Sequence, residues 1–115
     1  MIVVYDSNTG VGKQFAESLG YPTQSIKEKL DAPCILITRN AGAGKIPWST
    51  KSFIKKHQGL IKGFVNNGDS IKHGKTYCGA TPLIIEKYGL VHIRNIDQGG
   101  NDEDIQAVQE FLESC

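Results

Sequence analysis

The stretch Ser7, Asn8, Thr9, Gly10, Val11 and Gly12 is the first in the chain whose residue types can do chemistry. It offers two hydroxyls, an amide and a row of backbone N–H groups running into the start of a helix. Such a nest holds a phosphate through its N–H groups and the helix dipole, with no need of an arginine. The plainer alternative is a helix cap with flexible glycines. Its position directly after the first apolar run favours the anion site.

A second stretch, Asn40, Ala41, Gly42, Ala43, Gly44, Lys45, Ile46, Pro47 and Trp48, is too rich in glycine for a simple crossover. Glycine lets backbone approach a flat ring closely and reorient a peptide with little strain, so Gly42 and Gly44 are the expected switch positions. Trp48 either packs on such a ring or is a partly buried core residue at a helix start. Two further polar loops, Asn66 to His73 and Asp97 to Asn101, complete the set.

Two Gly-Lys pairs test for nucleotide hydrolysis. A P-loop needs glycine, four residues, then Gly-Lys-Ser/Thr. Gly12-Lys13 has Ser7 and Gln14 at the deciding positions, and Gly44-Lys45 has Arg39 and Ile46, so both fail twice. A receiver-type phosphoacceptor fails as well, because Arg39-Asn40 stands where its aspartate belongs. His57, His73 and His92 are not clustered, and Cys34, Cys78 and Cys115 show no metal spacing. Neither a metal site nor a catalytic acid or base is expected. Of the histidines, only His73 falls within the polar loops.

These loops need elements to hold them. Ile2–Tyr5 and the run Cys34–Thr38 read as buried parallel strands, Leu60–Val65 and Leu90–Ile96 as two more, and Tyr21–Ile26 as a short edge strand weakened by Pro22. Helices are expected from Gly12 to Leu19, and from Ser49 or Thr50 as cap through His57. A third, from Lys75 to Tyr88, is expected kinked or in two pieces at Gly79 and Pro82, with Thr81 capping the second. Asn101 starts the last, whose stripe is Ile105, Val108, Phe111 and Leu112. Alternating strands and helices predict an α/β fold, a five-stranded parallel sheet with helices on both faces; the right-handed crossover rule leaves few topologies, of which the flavodoxin-like order 2-1-3-4-5 is favoured. In such a sheet a ligand sits beyond the carboxyl ends of the strands, where all four loops fall.

The 115 residues suit a single domain, residues 1–115. A net charge of +1 gives no strong attraction to nucleic acid or acidic membranes. No apolar run reaches the roughly 20 residues of a membrane span, and the apolar N-terminus reads as a strand, not a leader. An odd, sparse set of cysteines fits a reducing cytoplasm, with secretion and one disulfide as the alternative.

In order and spacing the pieces resemble the NrdI family, flavodoxin-like activators of class Ib ribonucleotide reductase. The resemblance rests on Val3 through Gly10, Gln14-Phe15, Pro33 through Thr38, the glycine loop ending Ile46-Pro47, and Ser49 through Phe53. Gly63, Asn67-Gly68 and Gly100 through Ile105 complete it. It implies FMN as cofactor, with Ser7, Asn8, Thr9, Gly10 and Gly12 around the phosphate. The loop Asn40 to Gly44 would face the flavin N5 edge, Asn67, Gly68 and the loop to Gly74 its other side, and Gln98, Gly99 and Gly100 the pyrimidine edge. The resemblance implies a redox activator, not a stand-alone turnover enzyme. Its reduced flavin would supply superoxide to the dimanganese centre of the reductase small subunit, after a flavin-reducing donor has loaded it. The chain alone would be a monomer. In two places it departs from the family pattern. The third loop is one residue longer, with His73 where the family has a stacking aromatic, and Lys45 and Lys72 flank the flavin position. Positive charge there would stabilise a reduced, anionic flavin. Rival readings are a general one-electron carrier and a flavodoxin-like binding module without cofactor.

Overall fold

A computed structural model describes residues 1–115. Its strands are β1 (Ile2–Tyr5), β2 (Thr23–Ser25), β3 (Cys34–Arg39), β4 (Ile61–Gly68) and β5 (His92–Asp97). Its helices are α1 (Val11–Ser18), α2 (Trp48–His57), α3 (Ala80–Tyr88) and α4 (Asp102–Ser114), with 3-10 turns at Gln58–Leu60 and Gly74–Thr76. Every strand pair is parallel and the order is β2-β1-β3-β4-β5, as the sequence predicts.

The alternation of side chains along the strands divides the core into two layers. Val4, Cys34, Leu36 and Phe64 pack against Phe53 and Ile54 of α2 and Ala80 and Ile84 of α3. Val3, Ile35, Ile37 and Val65 pack against Phe15 and Ala16 of α1 and Val108 and Leu112 of α4. Both faces of the sheet are thus covered, which is why β3 reads as an unbroken apolar run. No helix is long and apolar enough to cross a membrane.

Several boundaries differ from expectation, each for a local reason. Asn66, Asn67 and Gly68, expected in a loop, continue β4, because β3 pairs on through Arg39↔Asn67 and β5 through Gly68↔Asp97. Helix α1 starts one residue early, at Val11, after Gly10 turns the chain at φ +87°. Strand β2 excludes Tyr21, Pro22 and Ile26, though the Pro22 carbonyl still accepts from the Val3 amide at 2.8 Å. Helix α2 starts at Trp48 with Pro47 as its cap residue, so neither Ser49 nor Thr50 is the cap. The Lys75–Tyr88 segment does divide, into the 3-10 turn at Gly74–Thr76 and α3. Pro82 sits in the first turn of α3, where no intrahelical bond needs its N–H. Thr81 does not cap: it is buried, donates to Asn95 Oδ1 at 2.6 Å and accepts from Asn66 Nδ2 at 3.0 Å. Strand β5 begins at His92, not Leu90. Asn101 caps α4 as expected, in a capping box with Asp104. Asp104 also pairs with Arg94 of β5, fastening the helix to the sheet edge.

Candidate functional site

Because all five strands run the same way, their following loops gather at one end. There they enclose a cleft of about 510 Å³, within the usual range for small-molecule sites. From the first loop Ser7, Asn8, Thr9, Val11 and Gly12 line it, and Val11 is the only apolar residue to do so. Asn40 and Gly42 come from the second loop, Asn67, Gly68 and His73 from the third, Gln98 from the fourth. The structure therefore draws all four predicted loops to one place.

The first loop is held open toward the cleft. Ser7 Oγ accepts from the Gly10 amide at 3.0 Å, closing a tight turn. Helix α1 has no side-chain cap, so the N–H groups of its first turn have no side-chain acceptor. Gly10 lies in the left-handed region, where an L side chain is strained. Uncapped N–H groups beside the Ser7 and Thr9 hydroxyls are the donor set of an anion site.

The second loop is a small hairpin. Ala41 and Lys45 exchange both backbone hydrogen bonds, at 2.7 and 2.8 Å, leaving Gly42, Ala43 and Gly44 as the turn. Asn40 anchors it: its Oδ1 accepts from the Ala80 amide at 3.0 Å and from Asn66 Nδ2 at 3.1 Å. One amide oxygen thus ties the loop to β4 and to the start of α3. Gly44 is buried against Thr76 and Gly79, whereas Gly42 lines the cleft.

The third loop is stapled from both sides. Asp69 Oδ1 accepts from the Ile71 and Lys72 amides, each at 3.0 Å. Asp97 accepts from the backbone and hydroxyl of Ser70, and these bonds hold its carboxyl below the usual carboxylate range. The Gln98 amide donates to the Gly68 carbonyl at 2.9 Å and the Gly99 amide to Asn67 Oδ1 at 3.2 Å, joining the third loop to the fourth. His73 and Lys72 stand exposed on the cleft wall.

Some expected site residues have other tasks. Trp48 is 81% exposed and lies outside the cleft, on a second hollow between α2 and the Ser25–Leu30 segment. Lys45 points away from the cleft, toward Lys51, Leu83 and Lys87, so Lys72 alone of the two flanking lysines faces it. Ala41, Ala43, Gly44 and Gly74 shape loops without lining the cleft, and Gly10 does so for α1. Gly99 and Gly100 give clearance: a Cβ on Gly99 would meet Val11 at 2.9 Å, and one on Gly100 would meet Phe15 at 3.0 Å.

Sequence reasoning passed over Asp6, Thr38, Arg39 and Thr76, all on the cleft wall. Asp6 had a signal: it is the first polar residue after an apolar strand. Its Oδ2 accepts from the Ser49 hydroxyl at 2.6 Å and the Thr50 hydroxyl at 2.7 Å, and Thr38 shares a 2.6 Å bond with Thr50. Of the thiols, Cys34 is pushed up to about 12 by burial and Cys78 is raised by the same cause, so both stay protonated at neutral pH. Only Cys115 is exposed.

Residues 3–110 match the family model described as NrdI flavodoxin-like. Protein NrdI of Deinococcus radiodurans is 30% identical, the match covering 96% of this chain and 81% of that protein. Protein NrdI of Bacillus licheniformis is 25% identical over 96% of this chain and 86% of its own length. Among solved structures, a short-chain flavodoxin associated with a non-canonical PDU bacterial microcompartment superposes with a TM-score of 0.69 at 20% identity, covering 97% of this chain and 93% of that one. A Fusobacterium nucleatum flavodoxin bound to flavin mononucleotide superposes at 0.61 and 14% identity, covering 98% and 94%. The structural likenesses speak for the fold alone.

Proposed function

The chain belongs to the NrdI flavodoxin-like family, and from that premise we propose that it is an FMN-binding redox activator of class Ib ribonucleotide reductase. The observation that carries this reading is the convergence of an uncapped helix N-terminus, the Asn40-anchored hairpin and the stapled third and fourth loops on one cleft. The residues present fit the cofactor. The cleft is large enough, and its anion nest lies at one end of a polar wall.

The N–H groups of Val11 and Gly12, with the Ser7 and Thr9 hydroxyls, would hold the phosphate. Gly42 would meet the ring from one side, Asn67, Gly68 and His73 from the other, and Gln98 would close the remaining edge. FMN bound there would supply one-electron chemistry with O₂, and the superoxide so made would be the oxidant for the dimanganese centre of the reductase small subunit. This chain's part is to orient the ring, leave its edge open to O₂ and set the local charge. Lys72 on the cleft wall would favour negative charge on a reduced flavin there and so raise its reduction potential. A separate flavin-reducing donor loads the site.

Purified protein supplied with micromolar flavin is expected to turn yellow and to release FMN, not FAD, on denaturation. Reduced anaerobically and then mixed with O₂, it should give superoxide, read as cytochrome c reduction that superoxide dismutase abolishes. A holoprotein whose reduced flavin gives superoxide but which does not bind the reductase small subunit would leave only a one-electron carrier. A chain that stays colourless would leave a binding module. Thr9→Ala should weaken FMN binding by about tenfold, since a charge-assisted hydrogen bond to a dianion contributes roughly 1.5–3 kcal/mol. An unchanged dissociation constant in that titration would remove the first loop from the phosphate site.

A further inference from the structure

Arg39 ends β3 and stands between the two hollows of this surface, lining both. The second hollow, of about 730 Å³, is walled by the Ser25–Leu30 segment and α2, and it shares Asp6, Ser7 and Asn8 with the cleft. Arg39 is therefore placed beside the start of the first loop, at Ser7 and Asn8, on the wall of the cleft that Thr9, Val11 and Gly12 also line. Its Nε is buried and has no hydrogen-bond partner. The facing acid is Asp6, whose Oδ1 lies 3.6 Å away, within ion-pair range and beyond hydrogen-bond distance.

Asp6 is itself 6% exposed. Both hydroxyl donors, Ser49 and Thr50, bind its Oδ2, so Oδ1 is left to the guanidinium. A buried carboxylate needs a compensating cation. A carboxylate next to a phosphate nest would also repel the ligand that the nest is shaped for. One residue answers both needs: the guanidinium is a cation with five donors in a planar fork, and its Nε lies 3.6 Å from Asp6 Oδ1. The fork matches phosphate oxygens, and a dianion beside it completes the incomplete pair. Lys27, Lys29 and Lys56 also line the second hollow, but all three are exposed to water, so Arg39 is the cation that the fold holds in place.

We propose that Arg39, positioned by Asp6, contacts the phosphate of the bound flavin and makes the site select the phosphorylated flavin, FMN, over riboflavin. The inference rests on the FMN reading above and goes beyond it, since the nest of the first loop has no need of an arginine. The test is titration of the apoprotein with FMN and, separately, with riboflavin, for the wild type, Arg39→Met and Arg39→Lys. Arg39→Met is expected to lose FMN affinity by about tenfold or more, the loss of a charge-assisted contact, while riboflavin affinity stays within about twofold. Arg39→Lys, which keeps the charge and loses the fork, should fall between, and it carries the comparison if the methionine variant does not fold. The phosphorus resonance of bound FMN should shift in both variants. Equal weakening for both flavins assigns Arg39 a structural task and overturns the proposal, as does an unchanged FMN affinity. A wild type that binds riboflavin as tightly as FMN overturns it while leaving flavin binding intact. A wild type that takes up neither flavin overturns the FMN reading together with it.

Discussion

Gly44→Val is expected to lower the thermal midpoint and to abolish FMN uptake at micromolar flavin, whereas Gly42→Val keeps the fold. Both glycines have positive φ, +72° and +49°, so both substitutions carry backbone strain of about 1–2 kcal/mol. Their surroundings differ. A Cβ on Gly44 would lie 2.9 Å from the Thr76 carbonyl oxygen and 3.1 Å from Gly79 Cα, and backbone atoms cannot rotate aside. Overpacking of this kind adds roughly 1–3 kcal/mol. A Cβ on Gly42 meets nothing within 4 Å. The sequence made the two look like equivalent hinge positions; the packing separates them. Gly44 is the contact on which the hairpin rests against the Thr76–Gly79 segment, and Gly42 stands in open space at the cleft. Gly42→Val should therefore shift the reduction potential of bound flavin more than it weakens binding of the oxidised form. Calorimetry, flavin titration and redox titration of the two variants check the contrast. A Gly44→Val protein with wild-type melting, or a Gly42→Val protein that melts as early as Gly44→Val, would contradict it.

The second large effect is expected at Asn40. Its Oδ1 is the acceptor for the Ala80 amide and for Asn66 Nδ2, both belonging to residues with no exposure to solvent. Asn40→Ala strands the buried Ala80 amide and leaves Asn66 Nδ2 with Thr81 alone; an unpaired buried donor costs about 1–3 kcal/mol, and the second lost bond adds to it. The sum is a large part of the roughly 5–15 kcal/mol that holds a domain folded. The midpoint should fall by about 10 °C or more, given some 4–8 °C per kcal/mol for small domains. FMN affinity should fall with it, because the same oxygen fixes the hairpin to β4 and α3. Asn40→Asp, which keeps an acceptor in place, should recover most of the midpoint. Equal melting of the alanine and aspartate variants would mean that the acceptor is not what holds the loop.

Much of the site was legible along the chain. The first loop could be read because its donors are contiguous: six neighbouring residues make the turn and the uncapped helix start by themselves. Asn101 was legible for the same reason, its partner Asp104 being three residues away. Trp48 was not. Whether an aromatic at a helix start faces a ring or water depends on how the helix lies on the sheet, and α2 turns that position outward. Ser49 and Thr50 looked like caps because hydroxyls at a helix start usually serve the helix. Here they serve Asp6, which lies 43 and 44 residues earlier.

The sequence by itself determined the parallel sheet and its two-faced core, and it narrowed the strand order to a few topologies, of which the favoured one is found. Those follow from local periodicity and from the handedness of parallel crossovers, which neighbouring residues carry between them. Only the tertiary structure decided which cation meets which acid, which asparagine anchors which loop, and which of two glycines is free. Such contacts join residues far apart in the chain, and they turn on separations of a few tenths of an ångström. Parallel strands bring those residues together only once the sheet has formed, so no spacing along the chain records them.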